Sequence, residues 1–200
     1  MKTLTEQQLR EAGVGRLFRA RDLDALGLGF RDLQALLSAG DVERVSRGLY
    51  RLAGSEPSEY FALAAVAARV PNAIVCLLSA LGVHGIGTQL PAEVWIGIAH
   101  KARPPEIPEF RLRIVRFTGA SLRYGVEPIA FEGVPARITN AARTVVDCFR
   151  FRRLVGLDAA KEALRDVLEE RKATPDEILR AAEVCRARTV VTPYLEALAG

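Results

Sequence analysis

The 200-residue chain is poor in cysteine, histidine and lysine, and each shortage excludes a kind of chemistry. Its three cysteines, Cys76, Cys148 and Cys185, lie far apart, and no Cys-x-x-Cys pair occurs. Spacing therefore offers neither a zinc site nor a disulfide framework. Three buried thiols in a reducing cytosol are expected, with no metal and no cofactor. His84 and His100 are the only histidines. Ser79 precedes His84 without a Gly-x-Ser-x-Gly elbow, so a structural histidine beside a helix end is expected there. Gly82, Gly85 and Gly87 lack the lysine and hydroxyl residue of a phosphate-cradling loop. No apolar run reaches the roughly 18 residues of a membrane span. Met1 to Glu6 turns polar at once, unlike a signal peptide. A cytoplasmic protein with no membrane partner is expected.

What the chain does have is arginine. The formal net charge is +4, and lysine occurs only at Lys2, Lys101, Lys161 and Lys172. A mildly basic balance permits a polyanionic partner without demanding one. Arginine suits bidentate contact to phosphate and guanine, but a GC-rich genome enriches it too.

Pattern along the chain predicts an α+β protein. Thr3 and Glu6 have capping-box spacing, with Leu4, Leu9 and Ala12 on one face of a first helix. A short strand is expected near 15–18 and a second helix over 20–26. Gly27-Leu28-Gly29 interrupts the pattern before a third helix, Phe30 to Ala39, in which Phe30, Leu33, Leu36 and Leu37 form one apolar stripe ended by Gly40. Two β-prone runs, 42–46 and 49–52, flank Arg47-Gly48 as a hairpin. Helix, helix, glycine turn, helix and hairpin is the order of a winged helix-turn-helix, assigned to residues 1–54. Residues 53–57 read as a joint.

Residues 55–200 read as a second α+β domain of central antiparallel strands flanked by helices. Helices are expected over 59–70, around 78–86, over 140–150, 158–171 and from Thr174, with a short last one near 194–199. Val94, Ile96 and Ile98 alternate, as do Phe110, Leu112 and Ile114, with Arg111 and Arg113 on the opposite face. Glu132-Gly133 is a two-residue hairpin turn.

A helix entering the major groove buries one stripe and leaves the other face free. Burial of Leu33 and its neighbours leaves Arg31, Gln34, Ala35 and Ser38 outward. Arginine can read guanine and glutamine adenine, so Arg31 and Gln34 are the base-reading candidates. Arg44, Arg47 and Arg51 of the hairpin, with Arg16 and Arg19, are phosphate candidates. Residues 1–54 hold nine basic and seven acidic residues, net +2, and Asp32 sits beside Arg31. Such a module is a weak general polyanion binder, and a protein-contact role stays open. Arg111, Arg113, Arg116 and Arg137, with Arg143, Arg150, Arg152 and Arg153, form either a second basic patch or a solvated face. Arg143, Thr144 and Asp147 on one helix could form a small active site, but an intrahelical ion pair is the expected reading. No enzymatic activity is expected.

The hairpin Gly40-Asp41-Val42-Glu43-Arg44-Val45-Ser46-Arg47-Gly48-Leu49-Tyr50-Arg51-Leu52 resembles the wing of the AbiEi family of antitoxins. The likeness continues through Cys76-Leu77-Leu78-Ser79-Ala80-Leu81 with His84-Gly85, through Arg143 to Arg152, and through Pro193-Tyr194-Leu195-Glu196-Ala197-Leu198. The resemblance implies a winged helix followed by an α+β antitoxin domain, and a place in a type IV toxin–antitoxin pair tied to abortive phage infection. It implies autorepression by binding double-stranded DNA at inverted repeats in the gene's own promoter, and a palindromic site would require two copies per operator. It further implies opposition to a nucleotidyltransferase-like toxin without a stable complex. An orphan winged-helix regulator or an interaction module without a toxin is the alternative.

Overall fold

The computed structural model describes residues 6–12, 15–46, 48–56, 58–89 and 91–199. The chain is a mixture of helices and sheets, and it divides into two compact units. One comprises Met1–Pro71 with Ile129–Ala136, the other Asn72–Pro128 with Arg137–Gly200. The expected joint at 53–57 therefore falls inside the first unit, which also takes in the following helix.

In the first unit α1 (Glu6–Glu11) precedes β1 (Leu17–Arg19). Thr3 and Leu4, expected at the start of the first helix, lie outside the described residues. The expected second helix is a 3-10 helix, Ala20–Leu26, tightened at its start by Asp22, whose carboxylate accepts from the Arg19 amide at 2.7 Å. Then come α2 (Phe30–Ala39), β2 (Val42–Ser46) and β3 (Leu49–Leu52), as the sequence pattern predicts. The strands form an antiparallel sheet in the order β1-β3-β2. A helix–helix–hairpin order of this kind fits a winged helix-turn-helix. Phe18, Tyr50, Leu52 and Val42 pack with Leu23, Leu33 and Leu36 in one core. Leu17 and Leu49, of opposite strand parity, are buried too, and α3 (Phe61–Arg69) packs against β1. The sheet is thus covered on both faces. The turn Glu132-Gly133 belongs to this unit, and Glu132 accepts from the Ser58 amide at 2.8 Å.

In the second unit β4 (Ile74–Val75) and α4 (Leu77–His84) lead to β5 (Val94–Ala99) and β6 (Leu112–Phe117). A 3-10 turn, Gly119–Leu122, precedes β7 (Val126–Phe131) and β8 (Val134–Thr139), of which Val126–Pro128 and Arg137–Thr139 belong to this unit. The five-stranded order is β6-β5-β4-β8-β7. The strands were expected to be antiparallel; instead β5 and β6 run parallel, as do β4 and β8, while β4 and β5 are antiparallel. Hydrophobic alternation reports which face is buried, not the direction of the neighbouring strand. Strand β5 shows the same limit from another side. Val94 through Ile98 are all buried, because both faces of this inner strand are covered.

Five helices complete the unit: α5 (Ala141–Arg150), α6 (Arg152–Val155), α7 (Leu157–Glu169), α8 (Pro175–Val184) and α9 (Arg188–Ala199). Asn140 caps α5 by accepting from the Arg143 amide at 3.0 Å, and Thr174 with Glu177 forms a capping box on α8. Helix α9 starts earlier than the expected 194. Pro193 lies inside it and removes one backbone donor. Val191 and Leu195 in the core, and the Phe149–Tyr194 ring contact at 5.0 Å, hold the helix across that break.

Gly97 sits at the centre of β5, and a Cβ there would meet the Phe117 ring at 2.1 Å. Gly97→Ala should therefore destabilise the protein by about 1–3 kcal/mol, lowering the urea midpoint with an unchanged m-value. An unaltered midpoint would show that Phe117 is free to move aside.

Candidate nucleic-acid interface

The left-handed Gly27 (φ 66°) ends the 3-10 helix and reverses the chain into α2. At the start of α2, Asp32 accepts from the Gly29 amide at 2.8 Å. Gly40, with φ 76°, stops the helix. Leu33 and Leu36 are buried and Leu37 half-buried, each contributing up to about 2 kcal/mol by leaving water. The opposite face carries Arg31, Gln34, Ala35 and Ser38, all exposed. Phe30 does not join the buried stripe as expected, and is 70% exposed. Its angle on the helix suits the stripe, but side chains lean toward the N-terminus. At the first helical position, Phe30 leans past the end of the core.

In the hairpin Glu43 lies directly opposite Arg51, and the two make an ion pair of 2.8 Å. The Arg51 guanidinium also sits 5.8 Å from the Phe61 ring centroid. Arg51 is thus held by the fold on the sheet face shared with Leu17. Arg44 is exposed, its Nε donating to the Ser46 carbonyl at 3.4 Å. Arg47, expected at the tip, lies outside the described residues; Gly48 beside it is left-handed at φ 76°. Arg16 is exposed and Arg19 half-buried. Burial lowers the Arg19 pKa from 12.5, as does Arg21, against the opposing pull of Asp22.

Of the arginines offered as either a second patch or a solvated face, those on β6 lie on opposite sides of the strand. Side chains alternate along the regular β6 register, so Arg113 shares a side with Val115 and Phe117, and Arg116 points the other way with Leu112 and Ile114. Arg113 pairs with Glu93 at 3.2 Å and lies over Trp95. The Nη1 of Arg116 donates to the carbonyls of His100 and Ala102, both at 2.6 Å, and so ties a loop. Arg137 donates to Leu122 O at 3.3 Å, while Arg111 is exposed just ahead of the strand.

The one strongly polar interior of the second unit is on α5. Arg143 and Asp147 are fully buried and joined at 2.8 Å, as the intrahelical reading expects. Arg143 also donates to Tyr124 O at 2.8 Å and lies 4.8 Å from the Phe117 ring centroid. Its Nη2 and the Asp147 Oδ1 have no hydrogen-bond partner. Burial raises the Asp147 pKa to about 6 against the pull of Arg143. The thiols of Cys76, Cys148 and Cys185 are free and buried, and burial raises all three pKa values, that of Cys185 to about 11. Such thiols are poor nucleophiles. His84 Nε2 lies 2.7 Å from Thr139 O, and Ser79 accepts from the Trp95 amide at 2.9 Å. Both are engaged in the fold, and no group of three or more His, Cys, Asp or Glu able to hold a metal occurs among the described residues. Nor, among these, is any helix long and apolar enough to cross a membrane.

A three-stranded sheet backed by helices, with one helix presenting a polar face, fits a winged-helix type of module. Residues 6–53 match the family model AbiEi_4, described as "Transcriptional regulator, AbiEi antitoxin". The match spans the elements from α1 to β3, including the hairpin, and stops before the motifs at 76–81, 143–152 and 193–198. No curated protein matches the chain. The matched family is a regulatory one.

The buried α5 pair has a measurable consequence. An Asp whose folded pKa exceeds its unfolded one favours folding at low pH and loses that contribution as pH rises. Relative to Asp147→Asn, the wild-type protein should lose on the order of 2 kcal/mol between pH 4 and pH 6.5. Denaturant titrations of both across that window read the difference, and an opposite slope would place the folded pKa below 3.8.

Proposed function

We propose that the chain is a DNA-binding regulator that represses its own operon by seating α2 in the major groove at promoter inverted repeats, and that it acts as the antitoxin of a type IV pair. The observation that carries the reading is the coincidence of two features. The family match over 6–53 covers the elements that leave Arg31, Gln34, Ala35 and Ser38 exposed on one helix face.

In this reading Arg31 and Gln34 contact base edges, and Arg44, Arg16 and the Arg47 tip contact phosphate. Arg51 holds the hairpin to α3 through Phe61. Two copies, one per half-site, bind the duplex, and the protein works in the cytoplasm without a membrane. The antitoxin half of the proposal draws on the family's description and on motifs beyond the match. It places the neutralising function in the second unit, against a nucleotidyltransferase-like toxin that it does not bind stably. A nucleotidyltransferase gene beside this one supports that half; its absence favours the orphan-regulator alternative.

A gel shift against the DNA upstream of the gene tests the regulator half. Affinity equal to that for random duplex at physiological salt would sink it. Within a specific complex, Gln34→Ala should cost about 1–3 kcal/mol at one base pair. Arg47→Ala should weaken binding to every duplex alike and reduce the salt slope by about one. The reverse pattern would exchange the roles of helix and wing.

A further inference from the structure

Phe30 is the only large apolar residue left in solvent among the described residues of the first unit, at 70% exposure. It stands at the first position of α2, directly before Arg31 and one turn from Gln34, both exposed. We infer that Phe30 is a specificity-determining residue that packs against the 5-methyl group of a thymine in the major groove.

The inference rests on the DNA-binding reading of α2 and deepens it. The first residues of a groove-docked recognition helix are those that reach base edges. The thymine methyl is the one apolar group those edges display, and an aromatic ring is among its partners. A protein-binding site is a poorer match: a stable interface takes about 800 Å² per partner, and the neighbours of Phe30 on α2 are Arg31, Asp32 and Gln34. The Asp32 carboxylate is held against the Gly29 amide, so the charge left beside the ring is that of Arg31. Four residues of helix advance about 6 Å, or roughly two base-pair steps. Phe30 therefore reads a thymine about two steps from the pair read by Gln34.

The test measures binding of the full chain to a duplex from upstream of its gene by fluorescence anisotropy, with single thymines replaced in turn by uracil, which lacks the methyl. One replacement should weaken wild-type binding by about fourfold, the value of one buried carbon. Phe30→Ala should show the same loss on the thymine duplex and no further loss on that uracil duplex. Because the uracil series uses wild-type protein, it does not depend on how the variant folds. Indifference of the wild type to every uracil, or full uracil sensitivity in Phe30→Ala, overturns the thymine contact while promoter preference keeps the regulator reading intact. Loss of preference for promoter over random duplex overturns both. A change in the sedimentation of Phe30→Ala without DNA would assign the ring to a protein contact and overturn the inference.

Discussion

The burial of Leu33 and Leu36 fixes the rotation of α2, and the properties of the first unit follow from that rotation. These leucines meet Phe18, Tyr50 and Leu52 across a sheet only three strands wide. Turning the helix by one residue position, roughly 100°, would bring Gln34 or Asp32 into that core without partners. Burying an unpaired amide or carboxylate costs several kcal/mol, so the exposed set is the outcome of apolar packing alone. The polar face needs no interaction of its own to stay outward.

Charge counting understates this module. Its net charge of +2 over residues 1–54 includes Asp22 and Asp32 at full weight. Both carboxylates accept backbone amide hydrogen bonds at helix starts, from Arg19 and Gly29 respectively. An acid at that position offsets the positive end of a helix and contributes less to repulsion of a distant phosphate. Arg51 is subtracted in the same way, since Glu43 holds it. The cations left exposed include Arg16, Arg21, Arg31 and Arg44.

Local signals in the sequence gave much of the fold. Gly27 and Gly40 marked the ends of the 3-10 helix and of α2, because glycine turns the chain left-handed there at little cost. Asn140 and Thr174 announced α5 and α8 through their side-chain caps. Long-range geometry was not legible. Strand direction in the second sheet depends on connections that leave no periodic trace, and β6 carries apolar residues on both faces, Val115 and Phe117 beside Arg113, Leu112 and Ile114 beside Arg116. The unexpected exposure of Phe30 has a local cause that periodicity omits: a helical position has an axial coordinate as well as an angle. Of the proposed contacts, the helix face was readable in advance, whereas the structural engagement of Arg51, Arg113 and Arg116 was not.

The two units handle polar groups in opposite ways, and this bears on which one meets a ligand. In the second unit Arg143 and Asp147 are sealed inside a helix buried from Ala142 to Phe149. A buried ion pair gives little net stability. What it does is make misplacement of α5 expensive, since either charge left alone in that core would be unpaired. The first unit keeps arginine and glutamine at the surface on a helix whose orientation apolar contacts have already set. In the proposed DNA-binding role, attraction to phosphate from so small a net charge is weak and falls with salt. Discrimination between duplexes would then come from the short row of side chains that α2 presents, including the aromatic ring at its start.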